Sequence, residues 1–260
     1  YLGVEDRLLR FGSEPGVPYS DMNGYGHFLW PVLWYRLYWW GFAVLLVVVA
    51  YLLYVRGREA SWRARRAQVR PRFTRGWRWT VAAGAAAWLG AGAFCFYNTH
   101  VLNPFRTAKD GERQQAAYET RYKPLATMPQ PRIVGADVRF DIHPSQRRLV
   151  ASGTYRLKNK TAAPVTRVLV TLIGDVEIRR LAVAEAAQPA ADGDPEMGVH
   201  LFDLPKPMAP GDEADLAFEL EFAPHGFPHQ GARTDVVGNG TFFNNFNLPL
   251  LGYQAVGELS

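Results

Sequence analysis

The 260 residues carry 29 basic and 24 acidic side chains, a formal charge of +5, and 48% of them are apolar. The positive excess is confined to Arg56–Arg78, with nine arginines against the single acid Glu59, while residues 131–260 are net acidic; a dispersed basic face for DNA or RNA is excluded. The lone cysteine, Cys95, excludes an intrachain disulfide, and arginine outnumbers lysine 24 to 5, a bias common in GC-rich bacterial genomes.

All eight tryptophans lie between Trp30 and Trp88, which divides the chain into an aromatic first part and a tryptophan-free remainder. Residues 12–31 hold Gly12, Pro15, Gly16, Pro18, Asn23-Gly24, Gly26 and Pro31, a pattern of turns, and residues 1–30 are expected to form an extracytoplasmic loop. Leu37–Val55 then runs without a charge for a length of roughly 28 Å as a helix, close to a bilayer's hydrocarbon core. Trp30, Trp34, Tyr35, Tyr38, Trp39 and Trp40 crowd one end and Tyr51 and Tyr54 the other, as interfacial rings do. A transmembrane helix is therefore expected over 31–55.

A second uncharged run, Trp79–Tyr97, predicts a transmembrane helix over 79–97. Ala82, Ala86 and Gly90, beside Ala83, Ala87 and Ala91, make a stripe of small residues, read either as a surface for close helix packing or as a trace of genome composition. The arginine-rich stretch 56–78 is expected as a cytoplasmic loop, because short loops with this excess stay inside and both flanks must then lie outside. Recognition of anionic lipid headgroups is the sharper reading of the same arginines, and a generic topology signal the plainer one. Residues 98–130, with Tyr118, Tyr122, Pro124, Pro129 and Pro131, suit a juxtamembrane helix and an extended linker.

From Arg132 the apolar period becomes two. Val134, Ala136, Val138, Phe140 and Ile142, then Leu149, Ala151, Gly153, Tyr155 and Leu157 across the turn Pro144-Ser145, predict a hairpin. Further strands are expected at Val165–Leu172, Val176–Val183, His200–Leu204 and Ala214–Phe222, the last opened by Pro210-Gly211-Asp212. The predicted fold is two transmembrane α-helices plus an all-β antiparallel sandwich or saddle domain over 131–260.

The chemistry of a complete site is missing. None of His27, His100, His143, His200, His225 or His229 is followed by Glu, so no His-Glu-x-x-His zinc helix exists, and no Gly-Lys pair exists to build a P-loop. His225 and His229 have a metal-like spacing but share a loop with Gly226, Phe227 and Pro228, and are read as surface histidines. Asp212, Glu213 and Asp215 read as a solvated turn rather than a calcium loop. No catalytic, cofactor-binding or metal-binding residue is assigned.

Two stretches carry a resemblance. Pro18-Tyr19-Ser20-Asp21-Met22-Asn23-Gly24-Tyr25-Gly26-His27 and the helix after it resemble the last membrane part of bacterial proteins in which an ABC-type permease is fused to a peptidase. Gln130-Pro131-Arg132-Ile133, Leu157-Lys158-Asn159-Lys160-Thr161, Pro210-Gly211-Asp212 and Asn239-Gly240-Thr241-Phe242-Phe243 resemble the N-terminal β-domain that precedes the catalytic domain of aminopeptidase N-like zinc peptidases. The resemblance implies a multi-pass protein of the bacterial inner membrane with its β-domain on the periplasmic side. Its zinc would belong to a downstream peptidase domain, and its partners would be membrane lipids, that domain, other permease helices and a separate ATPase subunit, with no nucleic acid. Both ends, at Tyr1 and Ser260, are expected to be cuts in a longer protein. The apolar residues from Val236 to Tyr253 are expected to leave a patch for the following domain to cover.

Overall fold

A computed structural model describes residues 3–19, 21, 24–54, 61–184, 188–189, 193–238 and 240–259. The chain forms two compact units, Tyr1–Phe105 with His225–Arg233, and Arg106–Pro224 with Thr234–Ser260.

The first unit is helical. Helix α1 (Leu29–Leu53) contains no acid and tolerates Pro31 because the first helical turn has no internal acceptor for its amide. Helix α3 (Arg75–Phe96) continues as a π-helical turn, Tyr97–Leu102. Gly26–Leu53 and Arg75–Leu102 are both long and apolar enough, by length and composition, to cross a membrane. The first helix thus starts two residues before the expected boundary, and the second starts at Arg75 rather than 79. Residues 56–78, expected as a loop, contain helix α2 (Trp62–Arg72), whose arginines, alanines and glutamine are good helix formers. Arg56, Arg58 and Glu59 lie outside the described residues.

Helices α1 and α3 touch backbone to backbone. A Cβ on Gly41 would sit 2.6 Å from the Trp88 amide nitrogen and 2.8 Å from the Gly84 carbonyl oxygen, so only glycine permits this approach. The buried residues of α3 are Gly84, Ala91 and Cys95, whereas Ala82, Ala86 and Gly90 of the expected stripe are exposed. The N-terminal segment folds back on α1: Tyr38 donates to the Leu8 carbonyl, Trp39 to that of Ser13, and Arg36 grips Glu14 with two bonds at 2.8 and 2.9 Å.

The second unit carries the β-structure. Strand β1 (Arg132–His143) forms the expected hairpin with β2 (Arg148–Lys158), in the register Ile142 opposite Leu149. The remaining strands are β3 (Val165–Thr171), β4 (Glu177–Val183), β5 (Gln188–Pro189), β6 (Val199–Met208), β7 (Glu213–Phe222), β8 (Val236–Val237), β9 (Gly240–Thr241) and β10 (Leu250–Leu251). They make two four-stranded sheets, ordered β1-β2-β7-β4 and β10-β3-β6-β5, and a β8-β9 ribbon, with every pairing antiparallel. All six expected strands are present. Strand β6 runs beyond the expected Leu204, and its ladder jumps from Asp203 opposite Arg167 to Met208 opposite Val165. The jump leaves Pro205 and Pro207, which lack an amide proton, out of the pairing.

Tyr155, Leu157, Val168, Val170, Phe202, Leu216, Phe218 and Leu220 form one continuous buried cluster drawn from both sheets. Helix α4 (Ala108–Tyr122) opens with a reciprocal Thr107–Asp110 capping box and buries Tyr118 and Tyr122 against Leu169, Val199 and Leu201. The expected juxtamembrane helix is therefore a packed part of the β-bearing unit. The apolar end of the chain is mostly covered by that unit itself. Val236 packs with Leu149, Ala151 and Phe222, Leu248 and Leu251 join the main core, and Tyr253 stacks on Tyr118 at 5.3 Å. Only Phe242 and Phe246 of the expected patch are about half exposed.

Candidate functional site

A polar cluster in the helical unit was not anticipated. Residues His225–Arg233 pack into that unit, where Phe227 is buried with Leu8, Tyr35 and Cys95. His229, expected at the surface, has a side chain only 14% exposed; its Nε2 accepts the Arg7 amide proton at 3.1 Å and lies 3.9 Å from the Asp6 carboxylate. His100 reaches the other oxygen of Asp6 at 3.4 Å through Nε2. The Thr99 hydroxyl donates to the Cys95 carbonyl at 2.8 Å, so its oxygen is left to accept from His100 Nδ1 at 2.9 Å. The His100 ring is stacked between Phe96 and Phe105, at 4.5 and 5.1 Å.

This arrangement fastens three distant segments, but it does not fit zinc. No group of three His, Cys, Asp or Glu among the described residues could hold a metal ion. The lone pair of His229 Nε2 that a metal would need is engaged by the Arg7 amide. Burial, reinforced by the Arg7 charge, holds His229 below the ordinary imidazole value. His225 is exposed, and its backbone carbonyl accepts from Asn103 at 3.0 Å. Pro228 and the turn at Gly226, with φ of 59°, send His225 and His229 to different environments.

In the β-bearing unit a cavity of about 430 Å³ lies among α4, the segment after β3 and the turns Pro195–Met197 and Ala255–Gly257. Its lining includes Arg106, Gln115, Tyr118, Asp175, Glu196 and His200. His200 Nε2 is buried with no hydrogen-bond partner, and burial holds this imidazole below its ordinary value. The alternation of β6 placed a histidine there, but only the docking of α4 makes it a cavity wall.

Several of the residues that carry the peptidase resemblance hold the β-unit together. Asn159, 1% exposed, donates to the Met208 and Ala163 carbonyls at 2.8 and 2.9 Å, while its side-chain oxygen accepts from the Thr161 amide and hydroxyl. Its backbone exchanges bonds with the Gly211-Asp212 turn, so two of the quoted motifs meet at one corner where β2 pairs with β7. Gly211 stands there at φ of 91°, a conformation that favours glycine. Gln130 imitates a strand partner for β3, accepting from the Leu169 amide at 2.8 Å and donating to the Arg167 carbonyl at 3.1 Å. On the outer sheet Glu221 is buried between Arg148 and Arg179, and its hydrogen bond with Arg148 holds the carboxyl below the usual carboxylate range.

No protein-family profile matches the chain, and no curated protein sequence matches it. Solved structures do show a partial likeness. An M1 zinc metallopeptidase from Deinococcus radiodurans is 16% identical over 39% of this chain and 22% of its own, with a TM-score of 0.30. A variant of a two-domain M1 zinc metallopeptidase bound to L-tryptophan is 15% identical over 37% of this chain, with the same TM-score. The chain spans about a fifth of the length of these structures.

Proposed function

We propose that this chain anchors and shapes an extracytoplasmic zinc aminopeptidase-like protein that is joined to an ABC-type permease of a bacterial inner membrane. The observation that carries the reading is the pairing of two units with opposite solvation. One unit is a helical hairpin whose apolar side chains point outward, and the other is a β-domain with its own buried core. The four stretches that resemble the aminopeptidase N-like β-domain supply the second half of the argument. In this reading the β-domain flanks a downstream catalytic domain, which would hold the zinc, and the present residues contribute position and no chemical step.

Topology is tested by reporter fusions. A reporter active only in the cytoplasm is expected to work when fused at Ser61, and one active only in the periplasm at Gly211; the reverse pattern overturns the orientation. The coding sequence beyond Ser260 tests the enzymatic part. A His-Glu-x-x-His with a distal Glu supports it, and a stop codon overturns it.

The cavity beside α4 favours a second reading, in which the β-domain is a noncatalytic capture or docking module of the permease. An imidazole at its wall whose Nε2 has no hydrogen-bond partner is a feature that a peptidase flank does not need. A degenerate zinc motif downstream would favour this alternative.

A further inference from the structure

The described arginines between the two long helices form no ion pair with any described residue. Residues 61–78 contain Arg63, Arg65, Arg66, Arg70, Arg72, Arg75 and Arg78 and no acid, and none of the seven makes an ion pair among the described residues. The β-bearing unit treats arginine differently: Arg121, Arg148, Arg167 and Arg179 all meet carboxylates. Like charges three and four residues apart weaken a helix, so an anion beside them would strengthen α2.

Its geometry specifies which anions. Arg63, Arg66 and Arg70 are all exposed and fall at i, i+3 and i+7, one row along about 10 Å of helix. On the other side Arg72 donates to the carbonyls of Tyr51 and Tyr54 at the end of α1, groups that a helix leaves without internal partners. That contact ties α2 to the end of the hairpin, at the level where Tyr51 stacks on Trp77 at 4.5 Å and Trp79 is exposed. Rings of this kind mark the boundary between hydrocarbon and headgroups. Trp62, itself exposed, lies under the Arg66 guanidinium at 5.5 Å and orients it.

We propose that α2 is a binding site for anionic phospholipid, in which the Arg63, Arg66 and Arg70 guanidiniums clasp the headgroup phosphates of the adjoining leaflet. The planar guanidinium fork matches phosphate oxygens two at a time, which lysine cannot do. The proposal rests on the membrane reading above, since a row at the end of a hairpin that did not enter a bilayer would meet no headgroups.

The test uses the full chain in nanodiscs of phosphatidylcholine alone or mixed with phosphatidylglycerol, with bound lipid counted by native mass spectrometry. R63Q/R66Q/R70Q leaves Arg72, Arg75 and Arg78 to hold the helix end and the orientation, and R63K/R66K/R70K keeps the charge. Each arginine near an anionic surface contributes about fivefold, so the glutamine variant is expected to lose roughly a hundredfold in preference for phosphatidylglycerol, and the lysine variant to keep part of it. An unchanged preference in the glutamine variant overturns the proposal, as does full displacement of the lipid by inorganic pyrophosphate, which would reveal a site for soluble anions. Carbonate extraction of the same chains separates the two failures. A chain released from membranes refutes the membrane reading, whereas a chain retained with an unaltered lipid preference refutes the lipid site alone.

Discussion

The helical and β-bearing units use the same apolar side chains in opposite ways. In the hairpin, Leu46 and Val47 are 48% and 62% exposed and the closest helix contact runs through glycine backbone, whereas in the β-unit Leu157, Leu216 and Leu220 are fully buried between sheets. A surface rich in leucine and valine calls for an apolar cover from outside the unit, whereas the β-unit supplies its own. The difference teaches that composition alone does not identify a core. The direction in which the apolar groups point separates a unit that covers its own apolar surface from one that leaves it uncovered.

The comparison breaks most visibly with one substitution made twice. Leu220→Ala should cost about 2–5 kcal/mol by leaving a cavity, and Leu46→Ala under about 0.5 kcal/mol, both read from unfolding of the full chain in detergent micelles. Equal losses would mean that the hairpin has a conventional core. Next, Asn159→Ala should cost about 2 kcal/mol, because the Met208 carbonyl loses a buried donor, the Ala163 carbonyl one of its two and the Thr161 turn its acceptor; a loss below about 1 kcal/mol would show that the corner holds without it. In the hairpin the equivalent role is played by absence of a side chain. Gly41→Leu should cost about 2 kcal/mol by driving α1 from α3, while Ala82→Leu on the exposed side leaves the melting temperature unchanged.

The smallest effect is a pH dependence. His200 is partly buried, and that burial holds it below the ordinary imidazole value near 6.5, so the unfolded chain binds its proton more readily than the folded one. Its contribution is complete above about pH 6.5 and is lost as pH falls through the folded value. The melting temperature should therefore decline on acidification below about pH 6, and His200→Leu should flatten that limb. Glu221, also held low, contributes above the ordinary glutamate value and loses its share only in the carboxylate range, which separates the two groups on one titration.

Much of the fold was legible. Period-two alternation located the two strands of the β1–β2 hairpin, apolar runs between turn signals located four more, and uncharged length located both long helices. Helix α2 was missed because the arginine excess of 56–78 was read only as a charge signal, although the same residues favour helix. The self-sufficiency of the Val236–Tyr253 segment was illegible for another reason. Its cover comes from Leu149, Ala151 and Phe222, far away in sequence, and from Tyr118 on a helix that only looked juxtamembrane.

Local pattern by itself determined the apolar lengths, the arginine excess of 56–78 and the β1–β2 hairpin, because each depends on neighbours within a turn or a strand pair. Tertiary structure alone decided the rest. It brought Asp6, His100 and His229 together, left His200 facing a cavity, made Gly41 the contact between helices, and turned Arg63, Arg66 and Arg70 into one unpaired row beside the end of α1. These depend on which distant backbones approach closely enough for a hydrogen bond or a van der Waals contact to form, and a one-dimensional pattern carries no such distances.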